Sequence, residues 1–408
     1  YNGVPIDREH LIKTIEMYFK HDSDLMNLLN KVTSNNKKIN WNSSKQLSKF
    51  IYEDHGIPVR RRTKKGAPQT SADALNEIIM SGDDIPMKEL LNISLPKGQE
   101  DIGICRVLLE YKAITKSKQM LLDWQAREFN SRLYPYINIV GARTGRTSSS
   151  EPNIQQVPRM KILRNCFNSV EKNKLFGEFD YSQIELRVAA FITRDETMLD
   201  AYKNEIDLHS LTQKSIFTDY KPKDKEQRAA AKQVNFGFLY GREAEGFYNQ
   251  MIDSGLKMTL EDAKEWRANF FNRYQGLTEY YQKIEIECLE TGGITTPVGR
   301  YRAYPGVYGT KYQKSAALRS AVNSPIQSLA SDILLSSCVE VNKIEGVMVC
   351  ATVHDAILVE IDTNVISKDQ AEEQIKEVME HPPLFNMFNI DFDVPLVVDA
   401  DWGPWGGA

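Results

Sequence analysis

The stretch RAAAKQVNFGFLYG, residues 228–241, constrains the fold and the chemistry of this chain more than any other. Four of its side chains recur at intervals of four: Arg228, Lys232, Phe236 and Tyr240. Steps of four return to nearly the same face of an α-helix, with a drift of about 40° per step. Because AAAK is a strong helix-forming run without proline, we predict a helix whose stripe presents two cations and then two aromatic rings.

Such a stripe has two interpretations. Cations followed by rings suit a nucleoside triphosphate, because the cations would meet the phosphates and the rings would meet the base and sugar. The alternative is an ordinary amphipathic helix that buries Phe236 and Tyr240 in the core. The helix taken alone favours the ordinary interpretation, so the flanking sequence has to decide.

Composition narrows the class of protein. A chain of 408 residues, 41% hydrophobic and 26% charged, fits a globular protein of two or three domains. The net charge of −4 does not indicate a nucleic-acid partner, although a basic groove can lie on an acidic body. Five separated cysteines and six histidines form no zinc pattern, which predicts a reducing compartment and no structural metal. No apolar run approaches the roughly 20 residues that span a membrane.

Two aspartates lie at junctions between predicted elements. Residues 175–192 read as a strand and then a helix, with Asp180 at the junction, and residues 347–361 read as a hairpin with His354 and Asp355 at its turn. Each aspartate has an ordinary explanation, a helix N-cap in one case and a turn residue in the other. If the two carboxylates instead meet at one sheet edge, they suffice to bridge two Mg²⁺ ions for phosphoryl transfer.

Two polar segments suit a sugar–phosphate backbone. RRRTKKGAPQTS, residues 60–71, is a basic loop that either grips phosphates or is simply solvated. RTGRTSSSEPNIQQVPR, residues 143–159, has the wrong spacing for a P-loop, but its arginines and amides suit backbone and minor-groove contacts. Further helical segments are predicted over residues 8–34, 104–133, 259–290 and 316–343, the last interrupted near Pro325.

Three of these segments together resemble a known family. DYSQIELR, RAAAKQVNFGFLYG and VHDA are similar, in this order, to motifs A, B and C of family A DNA polymerases, the bacterial DNA polymerase I group. The resemblance runs from about residue 3 to the C-terminus and includes GRTSSSEPNIQQVPR, TKSK and SPIQSLASDI. It implies an α+β right-hand polymerase fold with an antiparallel-sheet palm and mostly helical thumb and fingers. The expected domains are a thumb over 1–110, whose first residues are also candidates for the palm, a palm over 111–207 and 320–408, and fingers over 208–319.

The resemblance also implies the site residues. Asp180 and Asp355 would be the catalytic, metal-binding carboxylates, and the Tyr181 carbonyl would be a further ligand of two Mg²⁺ ions, for which Mn²⁺ is a substitute. The residues expected at the incoming dNTP are Arg228, Lys232, Phe236, Tyr240, Glu185, His209 and Gln183. The residues expected at DNA are Arg146, Asn153, Gln155, Gln327, His354, Asn323, Lys116, Arg60, Arg61, Arg62, Lys64 and Lys65.

Within the dNTP set the implied roles differ. The two helix cations and His209 would contact the triphosphate. Phe236 would pack against the sugar, Tyr240 would stack at the templating position, and Glu185 would be a steric gate against a ribose 2′-OH. One departure is Ala356, which stands where the family usually has a glutamate. We expect activity to survive this change, with weaker metal binding or a lower rate.

The function expected from this resemblance is a template-directed DNA polymerase that extends a primer 3′-OH with dNTPs by two-metal-ion nucleotidyl transfer. Its expected partners are primer–template DNA, dNTPs and either a processivity factor or an upstream exonuclease domain, without a membrane. A single-subunit RNA polymerase-like enzyme stays open, although Glu185 and Phe236 argue against it. A non-catalytic subunit that binds primer–template also stays open, although both aspartates and both helix cations argue against it.

Four smaller expectations concern the rest of the chain and its location. No role is assigned to Arg159, because its spacing after Pro158 differs from the bacterial pattern. The start YNGVPIDREHL reads like the middle of a longer protein. We expect no 3′→5′ exonuclease in this chain, because its early DxE, Asp7 to Glu9, lies at a helix start. The expected location is the cytoplasm of a bacterial or phage-infected cell, associated with the nucleoid, and an organelle is left open.

Overall fold

The computed structural model describes residues 2–33, 39–91, 102–253, 256 and 258–405. Within these ranges the chain forms two compact units. The smaller unit comprises Arg8–Ala126 and Gln250–Lys257, and the larger comprises Tyr1–Asp7, Arg127–Asn249 and Met258–Ala408. No helix among the described residues has both the length and the apolarity to cross a membrane.

The smaller unit is helical. Its two long helices are joined by an ion pair between Lys118 and Asp22, and the Thr115 hydroxyl donates to the same carboxylate over 3.1 Å. Short helices begin after serine caps, because the Ser43 and Ser71 hydroxyls accept the otherwise unpaired N–H groups of the first turns. Its elements are α1 (Arg8–Val32), α2 (Ser44–Ser48), a π-helical stretch (Lys49–Asp54), α3 (Ala72–Met80), α4 (Met87–Leu91) and α5 (Ile104–Arg127).

The larger unit is built on a four-stranded antiparallel sheet. Its strand order is β10–β5–β9–β8, from β5 (Lys174–Tyr181), β8 (Val347–Val353), β9 (Ala356–Asp362) and β10 (Val398–Trp402). The hairpin predicted over 347–361 and the strand predicted near 175 are both present. Three further strand pairs are β1 (Val4–Pro5) with β2 (Arg132–Leu133), β3 (Tyr136–Asn138) with β4 (Ser148–Ser150), and β6 (Gly293–Thr295) with β7 (Tyr301–Ala303).

Some of the remaining helices pack on this sheet and others pack on one another. These helices are α6 (Lys161–Arg164), α7 (Ile184–Thr193), α8 (Glu196–Lys203), α9 (Leu208–Ile216), α10 (Lys225–Leu239), α11 (Ala244–Asp253), α12 (Leu260–Arg273), α13 (Gln275–Thr291), α14 (Lys311–Val341), α15 (Lys368–Glu380) and α16 (Leu384–Met387). The last residues of α11 belong to the smaller unit. Helices α14 and α15 cover one face of the sheet, where the buried Tyr181 hydroxyl bonds Ser337 and the Met379 carbonyl.

Helix α14 differs from the sequence prediction. An interruption near Pro325 was expected, because proline lacks the N–H that bonds residue i−4, but the helix is continuous from Lys311 to Val341. Two tyrosine hydroxyls from neighbouring elements donate to carbonyls just before the proline, Tyr280 to Val322 over 2.8 Å and Tyr304 to Ser320 over 3.0 Å. Packing of the buried helix against its neighbours therefore overrides the local propensity.

Candidate active site

Antiparallel pairing brings the two predicted metal-binding aspartates to one edge of the sheet. Asp180 lies opposite Ala356 in the ladder between β5 and β9, and Asp355 immediately precedes β9. The backbone N–H of Tyr181 donates to the Asp355 carbonyl over 3.2 Å. Both carboxylates line one cavity of 740 Å³. Asp180 is not a helix cap, because Gln183 holds the N-cap position of α7.

The same sheet face carries carboxylates that sequence reasoning missed. Side chains alternate along a strand, so Glu178 shares the open face of β5 with Asp180. On the neighbouring strand β10, Asp399 lies directly opposite Asp180 and Asp401 opposite Glu178. All four line the cavity. The period-two pattern in GEFDY and VVDADW was the signal that would have found them.

This concentration of negative charge changes the protonation of Asp180. Its side chain is open to the cavity, but protein atoms surround it on the other sides. Desolvation, followed by repulsion from Asp355, Glu178 and Asp399, raises the pKa of Asp180 to about 6. Ligands that bring positive charge are therefore favoured at this edge of the sheet.

Helix α10 presents the stripe predicted from the four-residue spacing. It begins after Asp224, whose carboxylate accepts the N–H groups of Glu226 and Gln227 over 2.9 and 3.0 Å. Lys232 and Phe236 line the cavity with the aspartates. Phe236 is half-buried, because other apolar side chains fill the core side of the helix: Ala230, Ala231, Val234, Phe238 and Leu239.

The two ends of the stripe lie outside the cavity lining. Arg228 is exposed and pairs with Asp207 over 2.9 Å. Tyr240 follows the last residue of α10, and its hydroxyl donates to the Glu185 carboxylate. The four side chains therefore lie along one stripe, but only Lys232 and Phe236 reach the cavity.

Glu185 is held from two sides. Its side chain is nearly buried and accepts hydrogen bonds from Tyr240 and from the Arg146 guanidinium. Arg146 also donates to Asp355 over 3.2 Å. Burial raises the pKa of Glu185, and Arg146 opposes the rise. Arg146 thus links the predicted gate carboxylate to one of the two predicted metal ligands.

Two further residues expected at the dNTP, His209 and Gln183, line the same cavity as Lys232 and Phe236. His209 is 3% exposed, and its burial lowers the pKa of the imidazole to about 4, so the ring is neutral at pH 7. Its Nδ1 lies 2.8 Å from the Asn235 amide nitrogen. Gln183 adopts a left-handed backbone conformation, with φ of 56°, and its amide donates to Asp207 over 3.3 Å.

A second, smaller cavity of 250 Å³ gathers part of the predicted DNA set. Arg146 and His354 line both cavities, and Asn153 and Gln155 line the second. The Gln155 amide donates to the Thr147 hydroxyl over 2.8 Å and to the Thr352 carbonyl over 3.2 Å. These bonds fix the amide at the border of the smaller cavity.

The remaining DNA-set residues do not line these cavities. Gln327 and Asn323 are half-buried on α14, and Lys116 is exposed on α5. In the basic loop of the smaller unit, Arg60 pairs with Asp83, and Arg61 pairs with Glu77 over 2.7 Å. Arg62 donates to the Gly66 carbonyl over 2.9 Å, and Lys64 and Lys65 are exposed.

Cations that received no role from the sequence also line the larger cavity. They are Arg159, Lys161 and Arg164. Arg164 lies 3.9 Å from Glu178 and stacks over the Trp405 ring at 4.4 Å. The basic residues of this segment were visible in the sequence, but their direction depends on how residues 159–164 turn towards the sheet.

Known proteins are similar to this chain in sequence and in fold. The family model described as DNA polymerase family A matches residues 13–406. DNA polymerase I of Pseudomonas aeruginosa is 29% identical over 381 residues, covering 90% of this chain and 38% of the relative. DNA polymerase I of Mycobacterium leprae is 31% identical over 391 residues, covering 91% and 39%. A DNA polymerase of Bacillus phage SP01 is 27% identical over 390 residues, covering 90% and 40%.

The chain thus spans about two fifths of the length of these curated relatives. Among solved structures, the POL domain of Pol1 from M. smegmatis, in complex with DNA primer-template and dNTP, superposes with a TM-score of 0.83 at 26% identity. The match covers 100% of this chain and 68% of that chain. The predicted family and the α+β polymerase fold class are confirmed, and the chain belongs to DNA polymerase family A.

Proposed function

We propose that this chain is a template-directed DNA polymerase that extends a primer 3′-OH with dNTPs. The observation that carries the proposal is the cavity shared by Asp180 and Asp355 from the sheet and Lys232 and Phe236 from helix α10. Carboxylates and a cation–aromatic stripe meet in one space, as nucleotidyl transfer from a triphosphate to a primer hydroxyl requires. Family membership supports the same reaction.

The donor set of the sheet edge fits a divalent cation. No Lys or Arg among the described residues forms an ion pair with Asp180 or Asp399, so their negative charge is poorly neutralised. Within the same residues, no three acidic, His or Cys side chains are placed to enclose an ion by themselves. Mg²⁺ tolerates this arrangement, because it keeps waters and takes substrate phosphate oxygens as ligands.

We infer that Asp180, Asp355 and the Tyr181 carbonyl would hold two Mg²⁺ ions, or Mn²⁺ as a substitute. When bound, such ions supply activation of the primer hydroxyl and neutralisation of the charge that develops on the phosphate. Lys232 would neutralise the triphosphate, and Phe236 would pack against the sugar. Arg228 would join Lys232 after leaving Asp207.

Selection of deoxyribose is assigned to Glu185. A carboxylate held by Tyr240 and Arg146 has a fixed position, so a ribose 2′-OH would meet a rigid neighbour rather than a mobile side chain. Gln183 and His209 would complete the dNTP site beside it. A single-subunit RNA polymerase, the alternative enzyme, would use rNTPs at least as well as dNTPs in the same assay.

Primer–template contacts are assigned to the second cavity and to the basic loop. Arg146, Asn153, Gln155 and His354 would meet the primer terminus and its minor groove. Asn323, Gln327, Lys116 and the loop cations would bind elsewhere on the duplex. The domain roles remain proposals: thumb for residues 1–110, palm for 111–207 and 320–408, fingers for 208–319. Helix α5, Ile104–Arg127, crosses the proposed border at residue 110.

Primer extension with Mg²⁺ and dNTPs tests the proposal. We expect Asp180→Ala and Asp355→Ala each to lower the rate by about 10³-fold or more, because each removes one of the two carboxylates that would hold the metal ions. The exposed Asp369 on α15 provides the matched control, and Asp369→Ala should extend primers at the wild-type rate. Extension that persists in both site variants would refute the assignment.

A further inference from the structure

A row of buried, hydrogen-bonded polar side chains lies behind the dNTP face of helix α10. Asn235 on α10, Thr212 on α9 and Tyr274 after α12 are all 0% exposed. None of these three side chains lines the cavity, but the row of hydrogen bonds ends at His209, which does line it. Burying a polar group costs free energy unless its donors and acceptors are hydrogen-bonded. The directions of the hydrogen bonds in this row are therefore informative.

The contacts run in sequence from the interior towards the cavity. The Tyr274 hydroxyl lies 2.9 Å from the Thr212 hydroxyl. The Thr212 hydroxyl lies 2.6 Å from Asn235 Oδ1, and Asn235 Nδ2 lies 2.8 Å from His209 Nδ1. Each link is within ordinary hydrogen-bond length.

Counting protons fixes the direction of every bond. Thr212 has one hydroxyl proton, which goes to Asn235 Oδ1 because that oxygen can only accept. The Tyr274 hydroxyl must therefore donate to Thr212. The Asn235 amide nitrogen can only donate, so His209 Nδ1 must accept, and the ring proton is on Nε2.

If the donors and acceptors were reversed, the Tyr274 hydroxyl at the inner end of the row would have no acceptor for its proton. If the Asn235 amide were turned over, Thr212 would donate to Tyr274, and the Tyr274 proton would need another acceptor. Besides Thr212, no hydrogen-bond acceptor for the Tyr274 hydroxyl is found among the described residues, and the neighbouring Arg273 guanidinium can only donate. The orientation that places the proton on His209 Nε2 is thus the one that leaves no buried hydroxyl unsatisfied.

We propose that Asn235, oriented by Thr212 and Tyr274, is a positioning residue that keeps His209 neutral with its proton on Nε2, the nitrogen left for the cavity. His209 would then donate to a dNTP phosphate oxygen without adding a charge beside Lys232. This inference rests on the proposed function for the identity of the ligand, but the protonation state itself does not depend on it.

The charged groups around His209 agree with a neutral ring. Asp207 raises the pKa of the imidazole, whereas Arg228 and Lys232 lower it, and burial lowers it most, to about 4. At pH 6–9 the wild-type ring should therefore hold one proton, and that proton is directed by Asn235.

Nitrogen-15 NMR of histidine-labelled protein, without DNA, dNTP or metal, tests the protonation state directly. The signal of His209 among the six histidines is identified by its loss in His209→Gln, with His209→Asn as a second assignment variant. We expect a neutral ring protonated at Nε2 from pH 6 to 8. A ring protonated at Nδ1, or a doubly protonated ring at pH 7, would overturn the proposal.

Asn235→Asp tests the positioning role. A carboxylate would accept from Nδ1, so the ring should be protonated at Nδ1, and Nε2 should lose its proton as pH rises. The KM for dNTP should then increase about tenfold or more with pH, from loss of a hydrogen bond to a charged phosphate, while kcat and primer–template affinity stay close to wild type. A pH-independent KM with an Nδ1-protonated ring would contradict the role assigned to Nε2.

A matched pair at Thr212 separates positioning from packing. Thr212→Ser keeps the hydroxyl and should retain the Nε2 proton, whereas Thr212→Val keeps the shape and should yield a mixture of the two neutral forms. If both variants retain a single Nε2-protonated form, Thr212 does not orient Asn235. Because the NMR measurement requires no turnover, it can fail while primer extension succeeds, and the reverse also holds.

Discussion

The Asp180 carboxylate lies where protein atoms and three other carboxylates disfavour its charge. In the folded chain its pKa is about 6, against an ordinary value of 3.8. The unfolded chain therefore loses this proton first as pH rises, so the free energy of unfolding decreases between about pH 4 and pH 6. A carboxylate that we propose as a cation ligand thus lowers stability when no cation is present.

Asp180→Asn should stabilise the metal-free protein in a pH-dependent way. In a chelating buffer at pH 7 we expect the free energy of unfolding to rise by about 1 kcal/mol, a value reduced for solvent screening in the open cavity. At about pH 3.5 the folded wild type and most unfolded molecules hold the proton, so most of the gain should be lost. Thermal unfolding at the two pH values measures this, with the exposed Asp24→Asn as control. An equal gain at both pH values would contradict the charge explanation.

At the scale of elements, strand β10 supplies Asp399 opposite Asp180 and Asp401 opposite Glu178, and its position depends on a glycine. Gly177 on β5 lies opposite Trp402, and a Cβ at Gly177 would lie 2.8 Å from the indole ring. The indole has little room to move, because its Nε1 donates to Glu372 over 2.8 Å and its ring meets Phe179 edge-on at 5.3 Å. The close approach of the two strands therefore requires glycine here.

Gly177→Ala should destabilise the larger unit by about 1–3 kcal/mol, because the added methyl forces the Trp402 ring or the strand to shift. Denaturant unfolding measures the loss. Gly246→Ala, where the nearest atom outside its own segment lies at 3.6 Å and the residue is helical, is the matched control. That control should be neutral or stabilising by up to about 1 kcal/mol. Comparable losses in both variants would mean that the strand contact is not responsible.

At the scale of the whole molecule, the basic loop of the smaller unit divides into two kinds of cation. Arg60 and Arg61 form ion pairs within the unit, so their substitution would disturb the loop as well as any DNA contact. Lys64 and Lys65 are exposed, and neither forms an ion pair within the described residues. These two lysines are therefore the cleaner probes of phosphate binding.

Lys64→Gln combined with Lys65→Gln should weaken binding to primer–template and flatten its salt dependence. If each lysine neutralises one phosphate, the slope of log K against log salt should decrease in magnitude by about 2. Fluorescence anisotropy at several salt concentrations measures the slope. Lys343→Gln, which removes an exposed lysine paired with Glu340, should leave it unchanged. A slope equal to wild type in the double variant would return the loop to a solvated surface role.

The family, the order of the three motifs and the placing of Lys232, Phe236 and Asp355 could be read from the sequence alone, because short-range spacing puts the first two on one helix face and the third at a hairpin turn. Local patterns act over a few residues and are readable without coordinates. The neighbours Asp399, Asp401 and Arg159, the continuity of α14 through Pro325, and the bond from Asn235 to His209 depend on pairing and packing between distant segments. Those features could be seen only in the folded chain, because no local interaction specifies which strand lies beside Asp180 or which helix buries Thr212.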